Sequence, residues 1–368
     1  MFLTQLGYGI ITPFLTLYFG QYVSIESIAL ILAGTYGVSI LANLFAAKII
    51  ERLHSQRTLT YALAGAGLAV AVVGFAGHIV GAVMFFSTYT FLLAVALFNV
   101  DLYIRHYSDS ASLGGNEGKL GVFGNLGWLV GPIIGGLIGT QFGLSAVFIA
   151  CAIATFIGLI LFVEIRPHDR EFRSPTSGSF KNAFKAYMRD SEMRRFYIIS
   201  FGLAFVYASW SFVPLLLTSH GLAIGTLGIV YGLSALPWVL FEYPIGRLAG
   251  RGQNERLWIA TGFALIVAAL IGYSLLDSVT WLICSLFIGI TGSSFIERTH
   301  VTAFFRHISE GDVEVISVWR TSTGLAYIIS PLIAALLLNF VTLEFYYLLV
   351  AIISLMFIAV SLSLRPGK

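Results

Sequence analysis

The sequence predicts an all-α polytopic membrane protein with twelve transmembrane helices in two pseudo-symmetric six-helix bundles. First, hydrophobic residues make up 58% of the 368 residues and charged residues only 11%, whereas soluble domains carry about 25% charged residues. Second, apolar stretches recur along the whole chain, each of the roughly 20 residues that cross a hydrocarbon core. Third, the basic residues fall on one side of these stretches. Little of the chain remains for a soluble domain.

The spans fall into two groups of six, in residues 1–165 and residues 195–368. We interpret the apolar amino terminus as the first span and not as a signal peptide, because no basic segment precedes its apolar core. Residues 166–194 are rich in proline, serine and charge, which predicts a cytoplasmic linker. Windows of about 19 residues predict spans near 2–22, 26–50, 58–77, 80–104, 118–140, 143–165, 195–218, 224–249, 256–276, 280–304, 314–340 and 345–364.

The distribution of Lys and Arg predicts the orientation of the spans. Cytoplasmic loops carry an excess of these residues. None of the 21 lies in a connection after an odd-numbered span. Both termini are therefore expected in the cytoplasm, and we expect the inner (cell) membrane of a bacterium or an archaeon.

An internal repeat relates the two groups of spans. Residues 104–109 match residues 305–310, and Gly131-Pro132 matches Ser330-Pro331, so the offset is about 200 residues. Because six spans is an even number, the copies keep one orientation and are related by an axis along the membrane normal.

The loop after the second span of each half carries an arginine motif. In the first half Glu51 and Arg52 lie at its centre. In the second half Gly246 corresponds to Ala47 and Arg251 to Arg52, and Gly250 stands where the first half has the acid. Over essentially the whole chain the sequence resembles the major facilitator superfamily, whose signature loop contains glycine, then Asp-Arg, then glycine and basic residues. In this chain Ala47 and His54 replace the glycines and Glu51 replaces the aspartate. The resemblance implies the major facilitator fold.

The fifth span contains closely spaced small residues beside a proline. This stretch is similar to the motif of the superfamily's antiporters, and the whole sequence resembles the twelve-helix drug/proton antiporter-like branch. The alternative is helix packing around a proline kink, because small residues let two backbones approach. The motif residues are Gly127, Gly131, Pro132, Gly135 and Gly136.

Ionisable residues within spans are the candidates for proton coupling, since each costs at least ~2.5 kcal/mol near the bilayer centre. Glu242 and Glu297 are expected to carry the proton. Each precedes an arginine at the end of its helix by nine residues, and Arg320 lies at a similar depth. These three residues could meet, and the alternative is a fixed ion pair between helices. Arg298 and His300 are the further charge partners of Glu297.

Asp101 in the fourth span is a third coupling candidate. Arg105 follows it by four residues, so an intrahelical ion pair is one interpretation. The resemblance implies another, a conformational latch to Arg52.

Several aromatic and polar residues are candidates for the wall of the substrate cavity. They fall in spans that line the cavity in members of the family, and aromatic rings there can form an apolar or cation-binding wall. Packing or interface anchoring is the alternative for each ring. The candidates are Tyr8, Tyr36, Asn43, Tyr207, Trp210 and Trp238.

We therefore predict a secondary active transporter that moves a small organic solute by alternating access, with proton-coupled efflux by antiport as the expected mode. The alternatives are a proton-coupled importer of a sugar or another metabolite and, in another class, a receptor or channel without turnover. Sodium is the alternative coupling ion. An enzyme is not expected, because the sequence contains no nucleotide loop, metal-ligand cluster or nucleophile elbow. We expect a monomer in the lipid bilayer, with no cofactor, no metal and no nucleic-acid partner.

Overall fold

The computed structural model describes residues 2–107, 113–165, 180–250, 254–308 and 313–365, and in these ranges it contains helices but no strand. The helices are α1 Phe2–Phe19, α2 Ile25–Leu53, α3 Ser55–Phe75, α4 Ile79–Tyr107, α5 Leu113–Phe142, α6 Leu144–Ile165, α7 Phe180–Arg189, α8 Ser191–Ser209, α9 Val213–Ser219, α10 Ile224–Ser234, α11 Leu236–Gly250, α12 Glu255–Leu275, α13 Val279–His307, α14 Val313–Leu337 and α15 Leu343–Leu362.

Twelve helical segments in these ranges are long and apolar enough to cross a membrane, and each overlaps one of the predicted spans. The seventh span, Ser191–Ser219, consists of α8 and α9 joined by a short 3₁₀ turn. The eighth begins with α10 and continues into α11. The number of spans is therefore as predicted, but two of them are broken.

The chain divides into two compact units. The first comprises Met1–Pro175 together with Leu222–Leu233, and the second comprises Thr176–Gly221 together with Ser234–Lys368. Most of α10 therefore belongs to the first unit, although it lies in the second half of the sequence. The domain boundary predicted within residues 166–194 stays a prediction.

In the first unit, glycines allow α1 to lie directly against α5. A Cβ atom added to Gly131 would lie 2.7 Å from the carbonyl oxygen of Leu6. Side chains larger than hydrogen would therefore separate these two backbones. Around this contact α6 packs on α1, and α3 packs on α4 and α6. Phe14 and Tyr18 of α1 are completely buried there, and Tyr18 donates a hydrogen bond to the carbonyl of Val73 at 2.9 Å.

In the second unit, α12 packs against α13 and α15, while α8 packs against α14. Ion pairs join helix ends of this unit. Arg306 at the end of α13 pairs with buried Glu255 at the start of α12. Glu192 at the start of α8 pairs with Arg195, and its Oε1 lies 3.5 Å from Nε of Arg365, beyond α15. These contacts hold the helix ends together around buried carboxylates.

The predicted linker contains a helix that the sequence analysis did not anticipate. In α7 the side chain of Tyr187 is only 2% exposed, and its ring lies 6.2 Å from that of Tyr197 on α8. Burial raises the pKa of the Tyr187 hydroxyl. This short helix is therefore anchored to the second unit by an aromatic contact.

Candidate functional site

The seventh span is broken at mid-length, and a proline explains the break. α8 ends at Ser209, a single 3₁₀ turn covers Trp210–Phe212, and α9 follows. Pro214 has no N–H group, so the carbonyl of Trp210 lacks its ordinary i+4 donor. That carbonyl accepts a bond from the N–H of Val213 instead, which tightens the backbone into the 3₁₀ turn.

The eighth span is broken in the same manner. α10 ends at Ser234 and α11 begins at Leu236. Pro237 cannot donate to the carbonyl four residues earlier. The carbonyl of Ala235 accepts from the backbone N–H of Trp238 at 3.1 Å, which begins a new helix. In membrane carriers, broken helices at mid-depth commonly form substrate and ion sites.

The two breaks bring aromatic residues to the same part of the second unit. The ring centroid of Tyr207 lies 5.6 Å from that of Trp210 and 6.2 Å from that of Trp238. The ring planes are inclined at 55° and 86°. The indole N–H of Trp238 donates to Oγ of Ser293 on α13 at 3.0 Å, which fixes the orientation of this ring.

A carboxyl group is hydrogen-bonded to the tyrosine that both tryptophans contact. The hydroxyl of Tyr207 donates a hydrogen bond of 2.8 Å to Oε2 of Glu297 on α13. Ten residues separate Glu297 from the end of α13 at His307, a distance of about 15 Å along the axis at ~1.5 Å per residue. Glu297 therefore lies near the middle of its span. We call Tyr207, Trp210, Trp238, Ser293 and Glu297 the aromatic–carboxylate cluster.

The side chains of Glu297, Tyr207 and Trp238 are partly exposed at this depth. A carboxyl group facing lipid near the bilayer centre would cost at least ~2.5 kcal/mol on insertion scales, and such groups almost always face the interior or a water-filled cavity. The exposure of Glu297 therefore indicates an aqueous opening beside the cluster.

The predicted charge partners of Glu297 occupy different positions. His300 is buried, its Nδ1 lies 2.9 Å from the carbonyl oxygen of Ile296, and its ring packs 5.7 Å from that of Trp319. These contacts favour helix packing as its role. Arg298 is partly exposed. Arg320 is exposed on α14, and no ion pair joins it to Glu297 among the residues described.

Other predicted residues lie wholly or partly beyond what the structure describes. Glu242 is in α11, four residues after Trp238, and Gly246 is in the same helix, but their surroundings lie outside the described part. The same holds for the side chains of Asp101 and Arg105 in α4. Arg251 lies outside the described residues.

The cavity candidates of the first unit lie on α1 and α2. The rings of Tyr8 and Trp128 meet edge to face, with centroids 5.5 Å apart. Tyr36 is partly exposed, and Asn43 is exposed on α2.

The fifth-span motif makes close backbone contacts on two sides of α5. Gly127, Gly131 and Gly135, spaced by four residues, face α1. On the other side, a Cβ atom on Gly136 would lie 2.9 Å from Cα of Gly228 on α10. Pro132 lies between these contacts, within α5. The geometry gives every glycine of the motif a packing role.

The first signature loop is a one-residue connection in an unusual backbone conformation. His54, between α2 and α3, has φ 64° and ψ 154°, a region that is almost restricted to glycine. After it, Ser55 and Asn99 are buried and joined by hydrogen bonds, one of them 2.7 Å long. Glu51 and Arg52 are exposed, and within the described ranges no ion pair involves them.

The second signature loop contains a related backbone feature. Asn254, 200 positions after His54, also has a positive φ, of 56°. Within the described residues these are the non-glycine residues with positive φ. The internal repeat is therefore expressed in the backbone as well as in the sequence.

Among the described residues, twelve helical segments can cross a membrane, and two of them are broken near a partly exposed carboxyl group at mid-depth, which indicates a polytopic membrane carrier. The model of the Major Facilitator Superfamily matches residues 1–311, and the chain belongs to this family. The predicted fold class is thereby confirmed, and the protein is an integral membrane transporter and not an enzyme. The comparison with curated proteins found no match.

Solved transporters share this fold. A POT family transporter in complex with a thioalcohol-conjugated peptide is 13% identical, with 97% of this chain and 93% of that chain covered and a TM-score of 0.77. A POT family transporter in complex with 5-aminolevulinic acid is 14% identical, with coverage of 97% and 93% and a TM-score of 0.76. A peptide transporter POT in complex with sulfate is 14% identical, with coverage of 99% and 92% and a TM-score of 0.76.

Ser293 and the two helix breaks were not predicted from the sequence. Pro214 and Pro237 in apolar windows were the available signal for the breaks, because a proline in a span removes a backbone hydrogen bond. For Ser293 there was no comparable signal, since serine is a common packing residue in membrane helices.

Proposed function

We propose that the protein is a proton-coupled secondary transporter that exports a small organic solute by alternating access, with Glu297 as the proton-binding group. The hydrogen bond from Tyr207 to Glu297 near mid-span carries this proposal. It joins α8 to α13, so a change in the charge of the carboxyl group acts on two helices together.

The mechanism follows from the two protonation states of Glu297. The ionised carboxylate accepts the bond from Tyr207, and it attracts a proton or a positively charged group from the aqueous opening. The protonated carboxyl is neutral, so it tolerates a closed, water-excluding site at lower cost. Binding of a proton therefore favours closure of the site around Glu297, and its release favours opening.

The helix breaks supply candidate hinges for the transport cycle. The chain passes from the first unit to the second between Leu233 and Ser234, beside the break at Ala235. A short stretch without regular helical bonds bends more easily than a continuous helix. We propose that rotation at this break accompanies alternating access.

The export direction rests on the resemblance of the fifth-span motif to that of antiporters. Its glycines also have the packing role described above, so direction needs its own test. The POT structures hold a peptide conjugate and 5-aminolevulinic acid, which is consistent with a small organic solute for this chain. The one-sided distribution of Lys and Arg supports cytoplasmic termini. The cell membrane of a bacterium or an archaeon stays a prediction.

Purified protein in lipid vesicles with an acidic lumen and a pH-sensitive dye tests the proposal. A panel of solutes is added outside, and an exported solute should release protons from the lumen and dissipate the pH gradient. With equal pH on both sides, acidification of the lumen on addition of a solute would instead establish symport. Continuous ion current without solute would establish a channel.

Matched variants identify the coupling group. Glu297→Gln should lower solute-dependent proton flux by about tenfold or more, because the neutral amide binds no proton. Glu164→Gln is the control, since Glu164 is an exposed acid near the end of α6, and its flux should equal that of the native protein. Unchanged flux in Glu297→Gln would contradict the assignment.

A further inference from the structure

We propose that the aromatic–carboxylate cluster binds a monovalent organic cation, either a protonated amine or a quaternary ammonium ion. This inference deepens the proposed function by naming the substrate class of the same site. It rests on that function only for the claim that the bound ion is transported.

The arrangement of the rings favours a cation. Tyr207 is shared by two ring pairs, and its centroid lies 5.6 Å from Trp210 and 6.2 Å from Trp238. Aromatic faces carry negative electrostatic potential and attract cations within ~6 Å of the centroid, tryptophan most strongly. Rings inclined at 55° and 86° to a common neighbour can present faces to one ligand from different directions.

The carboxyl group adds a full negative charge beside these rings. The bond from Tyr207 holds Glu297 near the edge of the tyrosine. A cation against the ring faces therefore also gains attraction from the carboxylate, whereas an anion is repelled by both. The substrate and the proton would then compete for one negative group.

The two hydroxyl groups of the cluster have few hydrogen bonds left to offer a sugar. The Tyr207 hydroxyl donates to Glu297. Oγ of Ser293 accepts from Trp238 and donates to the carbonyl of Ile290 at 2.8 Å. Sugar hydroxyls taken from water each require a partner, and the hydroxyl hydrogens of Tyr207 and Ser293 are already donated within the protein, so neither hydroxyl offers a sugar a donor.

One buried donor in the cluster has no hydrogen-bond partner among the described residues. Trp210 is 8% exposed, and its Nε1 has no hydrogen-bond partner in the part of the chain that the structure describes. A buried N–H without a partner is costly, so a ligand atom or a water that accepts this bond is favoured. We expect the preferred cation to carry one acceptor, such as a hydroxyl or carbonyl oxygen, near its charged group.

Calorimetric titration of the purified protein in detergent tests the charge requirement without transport. The probes are tetraalkylammonium ions from tetramethyl to tetrapentyl, benzyltrimethylammonium, phenethylamine, and choline with its neutral carbon analogue 3,3-dimethylbutan-1-ol. At least one cation should bind, and choline should bind about tenfold or more tightly than the neutral analogue. Failure of all cations to bind, or equal affinity for the two analogues, would overturn the inference.

Variants separate the roles of ring and charge. Glu297→Gln should weaken cation binding by about tenfold or more. Tyr207→Phe keeps the ring but removes the bond that positions Glu297, so it should weaken binding less than Tyr207→Leu, which removes both. Trp281→Phe is the control, because Trp281 is 59% exposed at the start of α13, away from the cluster.

The outcomes distinguish this inference from the proposed function. If a neutral or anionic solute drives proton flux that depends on Glu297, while no cation binds, the transporter assignment stands and the substrate class is wrong. If cations bind with the expected selectivity but no solute drives proton flux, the substrate class stands and proton coupling is wrong.

Discussion

Replacement of Gly131 by alanine tests whether the fifth-span motif acts through helix packing. The new Cβ atom would lie 2.7 Å from the carbonyl oxygen of Leu6 and 2.8 Å from the backbone nitrogen of Ile10. Both are backbone atoms, so no side chain can rotate away and α1 must move relative to α5. Overpacking of this kind costs about 1–3 kcal/mol, which lowers Tm by roughly 2–10 °C in a domain of this size.

Gly34→Ala is the matched control for this substitution. Gly34 is an exposed glycine within α2, and an added Cβ would have no neighbour within 4 Å. Its Tm should stay unchanged or rise slightly, since alanine is favoured over glycine in a helix by about 1 kcal/mol. Tryptophan fluorescence during heating gives both values. Loss of transport in Gly131→Ala at an unchanged Tm would refute the packing explanation and favour a direct role of the motif in transport.

Three further substitutions test the site and the loops. Pro214→Ala restores a backbone donor, so it should straighten the seventh span and reduce transport while the protein remains folded by gel filtration; native transport rates would argue against the break as a functional element. Ser293→Ala removes the acceptor of the bond from the partly exposed Trp238 indole and should cost about 0.5–1.5 kcal/mol in thermal stability, whereas an unchanged Tm would mean that this bond contributes little. His54→Gly should stabilise the protein, because a strained backbone costs about 1–3 kcal/mol, of which glycine gives back about 0.5–1 kcal/mol through chain entropy. Asn254→Gly should stabilise the protein less, since asparagine tolerates its left-handed conformation. Equal stabilisation by the two substitutions would contradict the strain argument.

Membrane insertion was predictable because it depends on local composition. A segment such as Leu144–Ile165 is apolar over nearly its whole length, with Glu164 next to its end, so any arrangement of the chain must place its apolar part in lipid or protein. The repeat was predictable for a similar reason, since duplicated residues keep their order. The structure extended it to the positive φ angles of His54 and Asn254.

The charged candidates illustrate a limit of prediction from depth alone. Glu297 and Arg320 lie at similar depths along their helices, because each residue advances by ~1.5 Å. Whether two such side chains meet also depends on the rotation of each helix about its axis, which neighbouring helices decide. α13 directs Glu297 towards Tyr207 at 2.8 Å, while Arg320 is exposed on α14.

The sequence by itself determined that this chain is a twelve-span membrane protein with a duplicated half, because hydrophobic length, the one-sided basic residues and repeated motifs are properties of the chain alone. Only the tertiary structure brought Tyr207, with Trp210 and Trp238 around it, against Glu297. Ninety positions of sequence separate the hydrogen-bonded residues Tyr207 and Glu297. The physical reason is that lipid selects apolar spans without regard to their partners, whereas contacts between side chains depend on helix rotation and on breaks such as those at Pro214 and Pro237.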